Sequence, residues 1–436
     1  MQTASTGPLI VSANGRYLIK KNGEEFFWLA DTAWELLHKL NREEAIYYLT
    51  DRSFKKFNVI QAVILAELDG LRQPNFQGDL PLYNLNPETP NESYFLHVDW
   101  VIRQAAELGL YMALLPTWGD KVNKKYNWAK GPVIFNQENA AKYGRWLGDR
   151  YRGCNTIIWI LGGDRNPDAA DIQIWNAMAR GIASAYPPGQ KALMTFHPQP
   201  FEGGSSSQWF HKEEWLDFNM LQTGHGRDTA VYASIIRDYG LMPVKPVLDG
   251  EPTYEAHGIS FNHLENGYST DLDVRKMAYW DVFAGAFGHT YGCHSVWQFY
   301  DGKSQGVNHP LYCWQEALHL SGAEQMKWLK KLMESRPMLN RVPDCSLIID
   351  PNPEGPDYKM ALRDLDNRYA MIYTPTGKPF KLNTHNFLGH QIKFSWFNPK
   401  DGTMTNPVFA DRKPGLFFRP PNEDSDWVLV VDGVDE

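Results

Sequence analysis

"TIIWILGGD", residues 156–164, is an unbroken apolar run that ends in two glycines and a lone acid, Asp164. A strand that is apolar on both faces must be covered on both faces, as in a parallel sheet wrapped by helices. The same form recurs along the chain. It is found in "FFWLADTAW" (26–34), "NVIQAVIL" (58–65), "YMALLPTW" (111–118), "ALMTFHPQ" (192–199), "FNMLQTGHG" (218–226), "PVLDGEP" (246–252) and "GHTYGCHSVWQF" (288–299). Helical stretches lie between them, including "NREEAIYYLTDRSFKKF", "HVDWVIRQAAELGL", "NQENAAKYGRWLGDRYRG" and "DLDVRKMAYWDVFAGAFG". Asn41 with Glu44 three residues on reads as a capping box, and the third helix runs from Asn136 to Gly153. Eight strand-helix units predict an α/β fold of the (β/α)8 TIM barrel type. An open doubly wound sheet is the weaker alternative, because no G-x-G-x-x-G follows the first strand.

Beyond residue 340 the helical period disappears. Short runs such as "SLIID", "RYAMIYTP", "QIKFSWFNP", "GLFFRPP" and "WVLVVDG" alternate with turn-rich stretches, "PNPEGPD" and "NPKDGT". These predict a small antiparallel β-sandwich over 340–436, following a barrel domain over 1–339. "SANGRYLIKKNGEEF" (12–26) reads as a hairpin that either closes the barrel bottom or joins the sandwich.

Composition narrows the partner. The 436 residues carry 43 basic and 51 acidic side chains, a net charge of -8, which argues against nucleic acid and anionic membranes. Four scattered cysteines make no C-x-x-C pair, so neither a zinc knuckle nor a dense disulfide framework is expected. No run approaches the roughly 18 to 20 apolar residues of a membrane span. The first residues, "MQTASTGPLI", carry no basic-then-apolar leader. Sixteen Trp are either core or flat faces for a ligand, and a neutral or polar small substrate fits the balance.

In a barrel of this kind the active site lies at the C-terminal ends of the strands. The strand exits supply Asp31 and Trp34, Glu67 and Asp69, Trp118 and Asp120, Asp164 and Asn166, then His197 and Gln199. Gln222 and His225, Asp249 and Glu251, and His294, Trp297 and Gln298 complete the round. Carboxylates, amides, imidazoles and tryptophans are the side chains of sugar recognition. Asp164 after "LGG" and Glu251 in "DGEP" stand out, each following an apolar lead and a glycine. They sit on strands 4 and 7, opposite walls of the barrel, and glycoside hydrolysis needs two carboxyl groups facing each other across the bond. Asp168 is better placed than Asp164 to cap the next helix. No H-x-H follows strand 1, so no metal and no cofactor enter the reading, and the single histidines suit hydrogen bonds. A carbohydrate-binding barrel without turnover and a metal-dependent hydrolase are the rival classes.

"FFWLADTAWELLHKL", "LGLYMALLPTWGDKV", "NTIIWILGGDRNP" and "PVLDGEPTYE" together resemble the apiosidase-like catalytic domain of glycoside hydrolase family 140. The tail resembles the small domain, named for collagen binding, that often follows it. The resemblance implies a (β/α)8 barrel that removes apiose from a plant pectin, in bacteria that usually export such enzymes to the periplasm, surface or medium. It implies Asp164 as acid/base and Glu251 as nucleophile. Strand 4 carries Gly-Asp where the wider group of retaining glycosidase barrels has Asn-Glu, which shortens the acid by one methylene. The expectation is a retaining hydrolase of a pectic oligosaccharide or polysaccharide. Asp31, Trp34, Glu67, Trp118, Asp120, Asn166, His197, Gln222, His225 and Trp297 would hold the sugar.

Overall fold

The computed structural model describes residues 7–126, 128–200, 203–423 and 425–434. A short antiparallel hairpin, β1 (Leu9–Val11) and β2 (Leu18–Lys20), precedes eight strands that follow the predicted exits. These are β3 (Trp28–Thr32), β4 (Val59–Leu65), β5 (Tyr111–Thr117), β6 (Ile157–Gly162), β7 (Met194–His197), β8 (Asn219–Gln222), β9 (Val247–Glu251) and β10 (Gly288–Tyr291). Six run parallel in the order β10-β3-β4-β5-β6-β7, and β8 pairs in parallel with β9. Hydrogen bonds close the seams, among them Asp217 N–H to the Met194 carbonyl (2.8 Å) and Phe287 N–H to the Val247 carbonyl (3.1 Å). The sheet is thereby curled into a barrel.

Alternate residues of each strand serve two cores. Trp28, Ala30, Val59, Val63, Ala113, Leu115, Ile158, Ile160, Met220 and Leu248 fill the interior. Their neighbours Leu29, Ile60, Ile64, Met112, Leu114, Trp159 and Leu161 face the helices. Both sets are apolar, which is why the strands read as continuous apolar runs. Leu9, Tyr17, Leu18 and Phe26 join the interior cluster, so the hairpin closes the barrel's lower end rather than joining the sandwich.

Helix boundaries follow the expected chemistry. Asn41 and Glu44 form a reciprocal capping box at the helix Arg42–Phe54, and Asn136 and Asn139 form another at Gln137–Tyr151. Asp168 caps Ala169–Ser184 by accepting from the Ala170 and Asp171 amides. That leaves Asp164 free of any capping duty. One predicted strand is shorter than expected: β10 stops at Tyr291, and His294–Trp297 is a single helical turn at the barrel mouth.

The tail forms β11 (Arg341–Pro343), β12 (Met360–Asp364), β13 (Tyr369–Thr374), β14 (Phe380–Leu382), β15 (Gln391–Phe397), β16 (Val408–Asp411), β17 (Leu416–Phe418) and β18 (Trp427–Val434). An antiparallel sheet in the order β11-β12-β13-β18-β15-β16 shares a core with the β14-β17 pair through Ala370, Ile372, Phe380, Ile392, Phe418 and Leu429. "SLIID" is not a strand; it begins as a 3-10 turn, Cys345–Leu347. The other face of the large sheet, with Met371, Tyr373, Val428 and Val430, belongs to the barrel's outer core. Tyr279 of the helix Asp271–Phe283 stacks on Tyr373 with centroids 4.9 Å apart, and Arg275 grips Asp426 through two bonds of 2.8 and 2.7 Å.

Asp31 departs from its expected role. It lies on the helix-facing side of β3, fully buried, and accepts from the Tyr48 hydroxyl and Arg52 Nε, each at 2.6 Å. A strand residue facing outward cannot reach the mouth, so Asp31 anchors the first helix instead of holding sugar. Breaking one side of a fully buried pair costs about 3–5 kcal/mol because the partner charge is stranded. Asp31→Asn is therefore expected to lower the unfolding free energy by about that much, read by urea denaturation.

Candidate active site

The β6 exit is shaped by two glycines with positive φ, Gly162 (90°) and Gly163 (115°). A Cβ on Gly162 would lie 2.3 Å from the His197 carbonyl oxygen, and one on Gly163 would lie 2.7 Å from the Trp118 ring. Only glycine permits this approach. The chain then enters Asp164 in the left-handed region, at φ 52°, a conformation an Asp tolerates at a cost of about 1 kcal/mol. This tight turn aims the Asp164 carboxyl into the mouth, where its side chain stays 23% exposed.

The opposite wall uses a different device. Between β8 and β9 the register slips by one residue, with Leu221 opposite Asp249 but Gln222 opposite Glu251. Gly250 sits at the slip, where a Cβ would meet the Met220 sulfur at 2.6 Å. Such an irregularity re-aims the next side chain. Glu251 is turned inward and is buried. Asp249 stays behind it, accepting from the Glu251 amide (3.1 Å) and the Thr223 hydroxyl.

One imidazole connects the two carboxyl-bearing segments. His197 Nε2 lies 3.0 Å from Glu251 Oε2, while His197 Nδ1 accepts from the Asp164 backbone N–H at 3.5 Å. The accepting role of Nδ1 assigns the ring proton to Nε2, facing Glu251. His225 Nε2 lies 3.5 Å from the other oxygen, Oε1. Burial alone would raise the Glu251 pKa, but the hydrogen bonds and charge of His197 and His225 outweigh it and bring it down to about 2. Asp164 moves the other way: burial and then the Glu251 charge push it up to about 6, against the pull of Arg165, His197 and Gln222. The two groups thus differ in protonation at mildly acidic pH, one carboxylic acid and one carboxylate.

The aromatic surroundings are dense. Trp34 and Trp118 lie 5.3 Å apart by centroid, and both border His197. Trp34 Nε1 donates to the Tyr254 hydroxyl at 3.1 Å. Burial, and next the Glu251 charge, hold that hydroxyl well above its usual pKa, so Tyr254 remains a proton donor beside the carboxylate. His225 stacks on His257 with centroids 4.1 Å apart, and His257 meets His294 edge-on at 4.4 Å. His294 accepts from Trp297 Nε1 (3.3 Å) and donates to the carbonyls of Val307 and Asn308 (2.9 and 3.0 Å).

The structure therefore gathers Trp34, Trp118, Asp164, His197, Gln222, His225 and Glu251 around one centre, with Trp297 at its rim. Glu67 lies next to this centre, its carboxyl pushed well up by burial and then by Glu35 and Asp164. Two other expected sugar contacts also engage protein groups. Asp120 is buried and engages Lys121 at 2.7 Å, and Asn166 is buried and accepts from the Gln199 amide at 2.9 Å. The Asn166 contact ties the β6 exit to the β7 exit. Of the remaining histidines, His289 lies behind the barrel on Asp281 (2.9 Å), away from the mouth. Among the described residues no group of three or more His, Cys, Asp or Glu side chains is arranged to hold a metal ion. His257 lies just past the β9 exit motif, and Glu35 directly follows Trp34 in "DTAWE"; strand exits read only to their first polar residues pass over both.

Comparison with known proteins follows the same division of the chain. Residues 12–340 match the family model described as "Apiosidase-like, catalytic domain", and residues 342–432 match "Putative collagen-binding domain of a collagenase". No curated protein matches. A solved structure titled "Glycoside hydrolase" is 35% identical, with a TM-score of 0.90 over 99% of this chain and 98% of that one. A glycoside hydrolase family 5 structure from Bacteroides vulgatus is 33% identical, with a TM-score of 0.89 over 99% and 94%. A family 39 glycoside hydrolase from Bacteroides cellulosilyticus shares the fold at 9% identity, with a TM-score of 0.53 over 92% and 80%. By family match and full-length likeness this chain belongs to the apiosidase-like glycoside hydrolases.

Proposed function

We propose that this glycoside hydrolase acts with retention of configuration on a pectic glycan of the plant cell wall and releases apiose. The observation that supports the mechanism is the placement of Asp164 and Glu251 around one shared imidazole, where burial and the Glu251 charge push Asp164 up and the two histidines bring Glu251 down. Glu251, ionised, attacks the anomeric carbon as the glycosidic bond breaks. Asp164 gives its proton to the departing oxygen and becomes a carboxylate. Water then attacks the anomeric carbon, Asp164 takes a proton from that water, and the Glu251 ester bond is released. Each cycle consumes one water and returns both groups to their starting state. The partial exposure of Asp164 suits a group that must meet water, and the burial of Glu251 suits one that must meet only the sugar.

The apiose and pectin part of the reading rests on family membership, and its test is release of sugar from rhamnogalacturonan-II oligosaccharides. Asp164→Asn and Glu251→Gln are each expected to lower kcat on that substrate by about a thousandfold or more. Near-normal turnover in either variant would remove the assignment. Because Asp164 must hold its proton, kcat/KM should fall as pH rises through about 6, and because Glu251 must be ionised, it should fall again only near pH 2.

His197 sets that lower limit. His197→Gln removes a group that favours the charged form of Glu251, so the Glu251 pKa must rise. The acid limb of the profile is expected to move upward by one pH unit or more. An unmoved acid limb in that variant would show that His197 does not govern the ionisation of Glu251.

A further inference from the structure

Arg165, the residue after Asp164, folds its side chain back over it and is buried. Its Nη1 donates to the Asp164 carbonyl oxygen at 2.5 Å and to Asp164 Oδ2 at 3.3 Å. One nitrogen thus spans the main chain and the side chain of a single residue, the one whose backbone is left-handed at φ 52°. A charge-assisted contact at both ends restricts the rotation of the Asp164 carboxyl about its own short stem.

The loop that follows β5 holds the guanidinium from the other side. A Cβ on Gly119 would lie 2.8 Å from Arg165 Cγ and 2.5 Å from the Gly163 carbonyl oxygen, so a glycine there gives the arginine stem its path. Tyr126 and Trp128 stack with centroids 4.6 Å apart and planes 11° from parallel. The guanidinium carbon of Arg165 lies 5.4 Å from the centre of each ring. Rings at that range attract a cation and keep water from it, and a charge shielded from water acts more strongly on its neighbour.

The Asp164 carboxyl is faced by Glu251 from β9, His197 from β7, Gln222 from β8, Glu67 from the β4 exit and Arg165 from its own turn. Asp120, bonded to Lys121, lies within electrostatic reach of the guanidinium as well. Of these neighbours of Asp164, Arg165 is the one whose charge is permanent. We infer that Arg165 is a positioning residue for the acid: it holds Asp164 Oδ2, leaves Oδ1 to carry the proton, and steadies the carboxylate that remains once the proton has gone. This rests on the reading of Asp164 as the proton donor. In that cycle Asp164 gives a proton to the leaving oxygen and later takes one from water, so it is charged in between and needs a partner that keeps its own proton throughout.

Titration of aspartate carboxyl carbons by 13C NMR, without substrate, tests it, with the Asp164 signal identified by its loss in Asp164→Asn. In Arg165→Gln the midpoint of that signal should rise by about half a pH unit or more, because a charge that favours the carboxylate is gone, and in Arg165→Lys it should rise less. On rhamnogalacturonan-II oligosaccharides Arg165→Gln should lower kcat about tenfold and leave KM within about twofold. Trp128→Ala, which removes a half-exposed ring, should raise the midpoint by a smaller step and so gives the same reading if Arg165→Gln does not fold. An unmoved midpoint in these variants, or a full kcat in Arg165→Gln, would overturn the inference. Loss of sugar release in Asp164→Asn with none in Arg165→Gln would sink this inference alone, whereas normal release by Asp164→Asn would remove the acid reading and this one with it.

Discussion

The contact of His197 with both Glu251 and the Asp164 backbone is the constraint on which the rest of the site depends. A ring that meets a group of the site at each nitrogen is restricted in its orientation. It meets Glu251 at the side chain and Asp164 at the main chain, the two groups proposed as nucleophile and acid. It also separates their protonation states, because a proton donated to Glu251 favours the ionised form there, and the Glu251 charge then favours the protonated form of Asp164. Two carboxyl groups that would otherwise compete for one role are thereby given two.

The scaffold serves that contact. His197 ends β7, between the β6 turn that carries Asp164 and the β8-β9 pair that carries Glu251. The Gly163 amide bonds to the His197 carbonyl at 3.0 Å, which ties the acid's turn to the same residue a second time. Trp34 and Trp118 border the imidazole ring and limit its access to water. Below, the hairpin closes the barrel; to the side, the β-sandwich buries one face of its large sheet against the helix Asp271–Phe283. In a barrel, small displacements of strands change distances at the mouth, so these remote supports contribute to the precision of the pair.

Much of this was legible in the sequence, for physical reasons. Short continuous apolar runs between amphipathic helices read as strands buried on both faces, and exits at one end of a barrel form its mouth, which is how the sequence points to Asp164, His197, Gln222, His225 and Glu251. Asp168 was separable from Asp164 because a helix start has its own signature of an acid three residues before another. Other features were not legible. Asp31 looks like an exit residue, yet strand alternation turns it toward Arg52, and the side a residue faces depends on where the strand begins. The inward turn of Glu251 comes from a register slip at Gly250, which one strand alone does not reveal. Asp120 and Asn166 have the chemistry of sugar ligands and also engage protein groups, Asp120 the adjacent Lys121 and Asn166 the Gln199 amide distant in sequence. Strands β14 and β16 lacked a signal because β14 has only three residues and β16 is an exposed edge strand with little apolar burial.

The central claim is that Glu251 forms a covalent bond to the sugar while Asp164 handles the protons. A 2-fluoro glycoside of the released sugar, activated with a good leaving group, slows release of the intermediate more than its formation and lets it accumulate. Peptide mass spectrometry of the treated enzyme is expected to find the fluorosugar esterified to Glu251, and to find none in the Glu251→Gln protein. Attachment at another residue, or turnover that yields the inverted anomer with no adduct, would contradict the account.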